Sequence, residues 1–238
     1  MLNILKKIID TGTVTEPWYG AEAPSALRGE VICDANLCNS CGRCAMTCPV
    51  GAIVMNELPS VDARACLFCG RCVAECPQSA LRHTTNYRLA DIGTSVNAQY
   101  LSESIKRKLG RSLTIRHVDV GSCNACDWEM TALNNPLYDL QQYGIDFVES
   151  PRHAAMLMVT GTVTRNLLQA LLMTYEATPT PRLVMAVGSC AAAGKTYGKS
   201  YAVCGSVDSI IPVDIYVPGC PPRPQALLHG LLLALDRL

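Results

Sequence analysis

Two stretches of the chain repeat one arrangement of thiols: Cys38-Asn-Ser-Cys41-Gly-Arg-Cys44-Ala-Met-Thr-Cys48-Pro49 and Cys66-Leu-Phe-Cys69-Gly-Arg-Cys72-Val-Ala-Glu-Cys76-Pro77. Both read C-x₂-C-G-R-C-x₃-C-P. Three cysteines at two-residue intervals can wrap a compact iron–sulfur core as one tight loop, with backbone N–H groups turned toward its sulfides. The fourth thiolate must then come from elsewhere, and where two such runs occur the cysteine before the proline serves the other cluster. That exchange assigns Cys38, Cys41, Cys44 and Cys76 to one [4Fe-4S] cluster and Cys48, Cys66, Cys69 and Cys72 to a second. Each proline stops the chain continuing as a helix beyond the last cysteine. The rival, a pair of zinc sites, usually shows widely separated C-x₂₋₄-C pairs, and a tetrahedral ion would leave one thiol of each run badly placed.

A third set is more dispersed: Cys123-Asn-Ala-Cys126, Cys190 and Cys220. Two close thiols and two distant ones can also hold a cluster. On spacing alone, structural zinc and a C-x-x-C redox pair stay open beside it. Cys33 and Cys204 are left over and read as small buried hydrophobes. Ser189 to Thr196 ends like a phosphate loop, but the leading glycine, Gly188, stands one position too early for G-x₄-G-K-[ST], so no nucleotide is expected.

The elements that must position these thiols differ along the chain. Ala52-Ile53-Val54 and Ala80-Leu81 follow the two repeats, which suggests a two-fold related pair packed together as an α+β ferredoxin-like unit over residues 29–85. Residues 1–28 read as an amphipathic helix, with Leu2, Leu5, Ile8 and Ile9 against Lys6, Lys7 and Asp10, and an extended segment. Residues 86–112 lack cysteine and carry Lys106-Arg107-Lys108; they read as a linker. From 113 to 238 short β-branched runs alternate with helical patterns: strands at 113–120, 145–149, 155–159, 183–187 and 213–217, helices at 165–176 and 224–238. That alternation argues for an α/β domain with a mostly parallel sheet. Cys123, Cys190 and Cys220 each come one to three residues after a strand, at the carboxyl ends where open α/β sheets collect ligands.

Twenty Lys and Arg balance twenty Asp and Glu, so no basic field invites nucleic acid. No apolar run reaches the roughly 18–20 residues of a membrane span. Met1 to Asp10 is not a secretion signal, which points to a reducing cytoplasm where dense cysteine ligates metal. No paired carboxylates or Ser/His/Asp set stands out as catalytic.

Cys123-Asn-Ala-Cys126-Asp-Trp-Glu129, Ser150-Pro-Arg-His153, Thr160-Gly-Thr-Val-Thr-Arg165, Gly188-Ser-Cys190 and Val217-Pro-Gly-Cys220-Pro-Pro222 give the second domain its resemblance. It resembles the small subunit of membrane-associated [NiFe] hydrogenases of the formate-hydrogenlyase type and its relative in respiratory complex I. The first part, with Lys6-Lys7 and Thr11-Gly-Thr-Val-Thr-Glu16, is similar to the two-cluster ferredoxin subunit of the same complexes. The chain thus looks like a fusion of two subunits.

The resemblance implies a flavodoxin-like domain whose proximal cluster is held by Cys123, Cys126, Cys190 and Cys220, and three [4Fe-4S] clusters in all. It places Glu129 near the partner's active site, and Arg152 and His153, which by themselves read as structural, close to the cluster. Complex I subunits carry adjacent cysteines at this loop; Ala125 before Cys126 favours the hydrogenase branch. The implied partners are a [NiFe] hydrogenase large subunit, membrane-embedded subunits that receive the amphipathic helix, and an electron donor or acceptor protein. The implied location is peripheral on the inner face of the cell membrane. A complex-I-like module without hydrogenase activity and a zinc-stapled scaffold are the alternatives. His83, His117 and His229 read as ordinary.

Overall fold

The protein is described by a computed structural model covering residues 2–12, 15, 23–93, 112–198 and 200–235. The expected N-terminal helix is present as α1 (Leu2–Thr11), with Ile4, Leu5, Ile8 and Ile9 all exposed.

The first domain comprises β1 (Val31–Cys33), α2 (Arg43–Thr47), β2 (Ile53–Met55), β3 (Pro59–Val61), α3 (Arg71–Ala74) and β4 (Leu81–His83). β1 and β4 pair antiparallel, as do β2 and β3. The repeat is visible in space: each cysteine run turns through a left-handed glycine, Gly42 (φ 73°) or Gly70 (φ 77°), into a one-turn helix, and α2 packs on α3. Glycine adopts that conformation without a Cβ clash, which explains its place in C-G-R-C. Among the described residues the fully buried part of its apolar cluster is Val31, Cys44, Ile53, Cys72 and Leu81, with half-buried side chains such as Met55 and Val61 packed around it. So few side chains make a poor core, and a domain this small needs further staples.

The second domain comprises β5 (Asp91–Ile92), β6 (Leu113–Asp119), α4 (Ala125–Ala132), β7 (Ile145–Phe147), β8 (Met156–Thr160), β9 (Val163–Thr164), α5 (Arg165–Ala177), β10 (Leu183–Val187), α6 (Gly188–Ala193), β11 (Val203–Gly205), β12 (Ile215–Val217) and α7 (Pro224–Ala234). Its main sheet runs β5-β12-β10-β8-β6-β7, all neighbours parallel except β5 with β12. β8 and β10 are buried throughout, as their uninterrupted apolar sequences require when helices cover both faces. Alternate residues serve opposite faces. Met156 and Met158 face the core built with α4 and α7, while Leu157 and Val159 face the one built with α5 and α6.

The expected parallel sheet is therefore present. β5 falls inside the stretch read as linker, and α4, which carries Cys126, has no counterpart in the sequence reading. Residues 94–111 of that stretch, with its basic run, and residues 236–238 of the last expected helix lie outside the described residues.

The two domains touch directly. Arg64 forms an ion pair with Asp91 of β5 and lies 3.8 Å over the ring of Tyr216. Ala23 and Leu27, in the segment before the first domain, pack against the apolar core of the second, and the neighbouring Arg28 donates to the Cys69 carbonyl at 3.0 Å.

Candidate metal centres

Cys38, Cys41, Cys44 and Cys76 line one cavity, walled by Met55, Pro59, Ala80 and Leu81. Cys48, Cys66, Cys69 and Cys72 line another, walled by Val31, Ala52, Ile53 and Leu67. The crossed sets read from the two runs are thus the sets that share a void. Counting their open mouths, the voids measure about 310 and 340 Å³. Thiols spread around an apolar void suit a polynuclear group better than zinc, whose ligands must meet about 2.3 Å from one point.

Backbone donors already point at the sulfurs. Ala52 N–H lies 3.2 Å from Cys48 Sγ, while Ala80 N–H and Phe68 N–H lie 3.3 Å from Cys76 Sγ and Cys66 Sγ. At Cys76 burial pushes the thiol up, but the N–H groups of Ala80, Gln78, Leu81 and Ser79 outweigh it and hold the thiol below its ordinary value. At Cys72 burial dominates, with Cys66 adding to it, and the thiol rises to about 11. Loading metal onto such thiols displaces protons, so assembly is linked to pH.

The third set gathers at the carboxyl edge of the parallel sheet. Cys123 and Cys126 follow β6, Cys190 sits in α6 after β10, and Cys220 follows β12. Burial first, then the neighbouring Cys190, Asp127, Cys123 and Cys220, drive the Cys126 thiol far above its ordinary value. Gly188 (φ 82°) makes the approach possible: a Cβ there would stand 2.6 Å from Cys126 Sγ. The loop bearing Cys123 is tied by Asp127, which accepts from Ser122 Oγ and from Thr160 Oγ1 (2.7 Å) and lies 3.0 Å from His117 Nε2. Burial lowers the His117 pKa against the pull of Asp127. The Thr196 hydroxyl lies 3.4 Å from Cys190 Sγ.

Residues 123–234 match the family described as NADH ubiquinone oxidoreductase, 20 Kd subunit, and residues 37–80 match a 4Fe-4S dicluster domain. A "probable membrane-bound hydrogenase subunit" of Pyrococcus furiosus is 48% identical over 130 residues, covering 55% of this chain and 78% of that protein. The chain belongs to the 20 kDa subunit family, joined here to a dicluster domain. Formate hydrogenlyase subunit 7 of Escherichia coli is 41% identical over 58% of this chain and 54% of its own length. An NADH-quinone oxidoreductase subunit of Citrifermentans bemidjiense is 43% identical over 48% of this chain and 66% of its own.

Not every residue singled out in this family frame joins the thiols. Arg152 and His153 are exposed in a short 3₁₀ turn before β8, and the His153 carbonyl accepts from Thr114 Oγ1 at 2.7 Å. Thr114 is near the amino end of β6, five residues and roughly 17 Å of strand before Asp119. The backbone of this turn therefore lies beside the amino-end half of β6. Glu129, half-buried on α4, has its carboxyl raised by burial, which the nearby Arg223 only partly opposes. Trp128 beside it is 74% exposed.

Cys204 packs half-buried on the core built with α5 and α6. Cys33 packs half-buried on the first domain's apolar cluster, its thiol raised to about 11 by burial and then by Cys38. Sequence reading missed Asp127, Ser189 and Thr196. Only the adjacency of each to a cysteine, or its place one residue beyond Lys195 in Thr196's case, could have pointed to them.

Proposed function

We propose that this chain is the iron–sulfur electron-transfer subunit of a multisubunit, membrane-associated [NiFe] hydrogenase, carrying three [4Fe-4S] clusters on the three four-cysteine sets. When bound, such clusters supply one-electron carriers. The chain's own part is to hold them by twelve thiolates, direct N–H and O–H donors at the sulfurs, and exclude water. Hydrogen is made or consumed at the nickel–iron centre of a partner large subunit, which the face with Glu129 and Trp128 would meet.

The observation that carries this reading is the meeting of the second and third sets. The Cys220 thiol, raised first by burial and then by Cys190 and Cys123, is raised further by Cys69 and Cys66 across the domain boundary. The Ser189 hydroxyl, beside Cys190, lies 2.7 Å from the Cys66 carbonyl, and sites joined in this way support a relay rather than three isolated staples.

The strand order β7-β6-β8-β10-β12 supports a flavodoxin-like description, since it is the 2-1-3-4-5 order of one doubly wound class. Among the described residues no helix is long and apolar enough to cross a membrane. The exposed apolar face of α1 then suits a membrane-embedded partner subunit at the inner face of the cell membrane, and an external redox protein completes the path.

Iron analysis with a hydrogen–viologen assay of the purified complex tests the proposal. Three clusters predict about 12 iron atoms per chain, and hydrogen-dependent viologen reduction is expected. Zinc in place of iron overturns the relay. The NADH-quinone oxidoreductase relative favours a second reading, a complex-I-like module; full iron without hydrogen turnover would select it.

A further inference from the structure

Ser189 occupies an unusual junction. It precedes Cys190 and is 2% exposed, and its hydroxyl reaches the carbonyl oxygen of Cys66, in the other domain, at 2.7 Å. The same hydroxyl lies 3.1 Å from the Gly219 carbonyl, which also accepts the Ser189 N–H at 2.8 Å. One buried residue thus adjoins Cys190 through its own backbone, touches the peptide before Cys220, and reaches a cysteine of the second set with its hydroxyl. Elsewhere the domain contact includes two partly exposed ion pairs, Arg64 with Asp91 and Lys195 with Asp62, and the Arg64 guanidinium over the Tyr216 ring.

We propose that Ser189 is the positioning residue through which the second and third cysteine sets are electronically connected. From Cys190 Sγ the path runs along the backbone to Ser189 Cα, out to Oγ, across one hydrogen bond to the Cys66 carbonyl, and on to Cys66 Sγ. Every link but one is covalent. In the transfer it would serve, one electron would leave the reduced iron–sulfur group that Cys123, Cys126, Cys190 and Cys220 would hold and arrive on the oxidised group that Cys48, Cys66, Cys69 and Cys72 would hold. No bond is made or broken and no proton moves. A direct jump across a packed but unbonded gap couples more weakly than a hydrogen-bonded path, and burial keeps water from substituting for the hydroxyl. The inference rests on the cluster assignment proposed above.

The test uses the intact complex with Ser189→Ala, Ser189→Thr and Asp91→Asn. A laser flash reduces a viologen, and rapid freeze-quench paramagnetic spectra follow the electron's relaxation between the second and third sets. The expected result is a severalfold slower relaxation in Ser189→Ala, with iron content and dipolar splitting between the two signals unchanged. Ser189→Thr, which keeps the donor, restores the rate, and Asp91→Asn, which loosens the domain contact elsewhere, leaves it unchanged. An unchanged rate in Ser189→Ala overturns the inference alone. Slowing that comes with lost iron, with altered splitting or equally in Asp91→Asn also overturns it, because the hydroxyl would then act on assembly or spacing. An unaltered complex holding fewer than about 12 iron atoms overturns the cluster assignment and the inference with it.

Discussion

Replacing Gly188 by alanine puts a methyl group where Cys126 Sγ already sits. The added Cβ would stand 2.6 Å from that sulfur, whereas non-bonded heavy atoms settle at roughly 3.5–4.0 Å. The thiol or the backbone must therefore move by about 1 Å, while metal–ligand distances tolerate about 0.2 Å. The backbone is also unfavourable for alanine: φ is +82° at Gly188, a left-handed conformation costing an L-residue roughly 1–2 kcal/mol. Strain of that size leaves a folded chain; ligand displacement on that scale does not leave a four-thiolate site. Gly188→Ala is expected to lose one cluster, about a third of its iron, and one of three paramagnetic signals.

Gly198→Ala is the control. Its φ of +63° brings comparable strain, but nothing lies within 4 Å of the added carbon, so it should keep its iron. Both variants are compared by iron per chain and low-temperature spectra after anaerobic purification. Full iron and three signals in Gly188→Ala would refute the placement of Cys126 as a ligand against Gly188.

Cys220→Ser removes a thiolate of the third set and is expected to lose the same third of the iron and to abolish transfer between hydrogen and viologen; unchanged iron counts against the ligand. Thr196→Val removes the hydroxyl 3.4 Å from Cys190 Sγ. Because a donor at sulfur favours the more negative, reduced state, the third cluster's potential should fall by up to ~59 mV, a tenfold one-electron shift; a redox titration showing no change refutes this. Asp214 is a carboxyl pushed up from 3.8 to about 6 by burial, against the 2.7 Å hydrogen bond from Val184 N–H. Between those pH values the folded chain keeps a proton the unfolded chain has released, so stability falls as pH rises through the window. Asp214→Asn should remove that slope and raise stability above pH 6 by roughly 1–2 kcal/mol, discounted for partial exposure. Thermal midpoints at pH 5 and 8, at one scan rate, should converge in the variant; an unchanged gap refutes it.

The first two cysteine sets were legible because a cluster loop is local: spacing, the C-G-R-C glycine and the following proline all act within a dozen residues. The third set was legible for a different reason. Cys123, Cys190 and Cys220 each follow a strand, and parallel strands bring their carboxyl ends to one edge. The turn that carries Arg152 and His153 falls outside that logic. β7 pairs with only the first three residues of β6, Leu113 to Ile115, so the chain leaves it low on the sheet and passes the amino end of β6 before entering β8. A motif near a strand in sequence does not reveal which edge it occupies. Ser189 and Asp127 were invisible because their partners, Cys66, Thr160 and His117, meet them only after the sheet and the domain contact form. β5 is two residues long and earns its place solely by pairing with β12, which no periodicity in so short a segment can announce.

The fusion itself has a physical consequence. As separate subunits the two domains would be held by partly exposed ion pairs, each worth little, a cation over a tyrosine ring, and one buried hydroxyl. Tethering changes the comparison, because a short connection raises the effective concentration of one domain around the other to the millimolar range. Here the connection is shorter than the expected linker implied: Asp91 and Ile92 already lie in the second domain's sheet, eight residues after β4 ends at His83. Ala23 and Leu27 add a second tie from the other side. A contact too weak to assemble two free proteins is then sufficient to hold the Ser189 hydroxyl on the Cys66 carbonyl, and the spacing of the second and third thiol sets becomes a property of one polypeptide rather than of an assembly equilibrium.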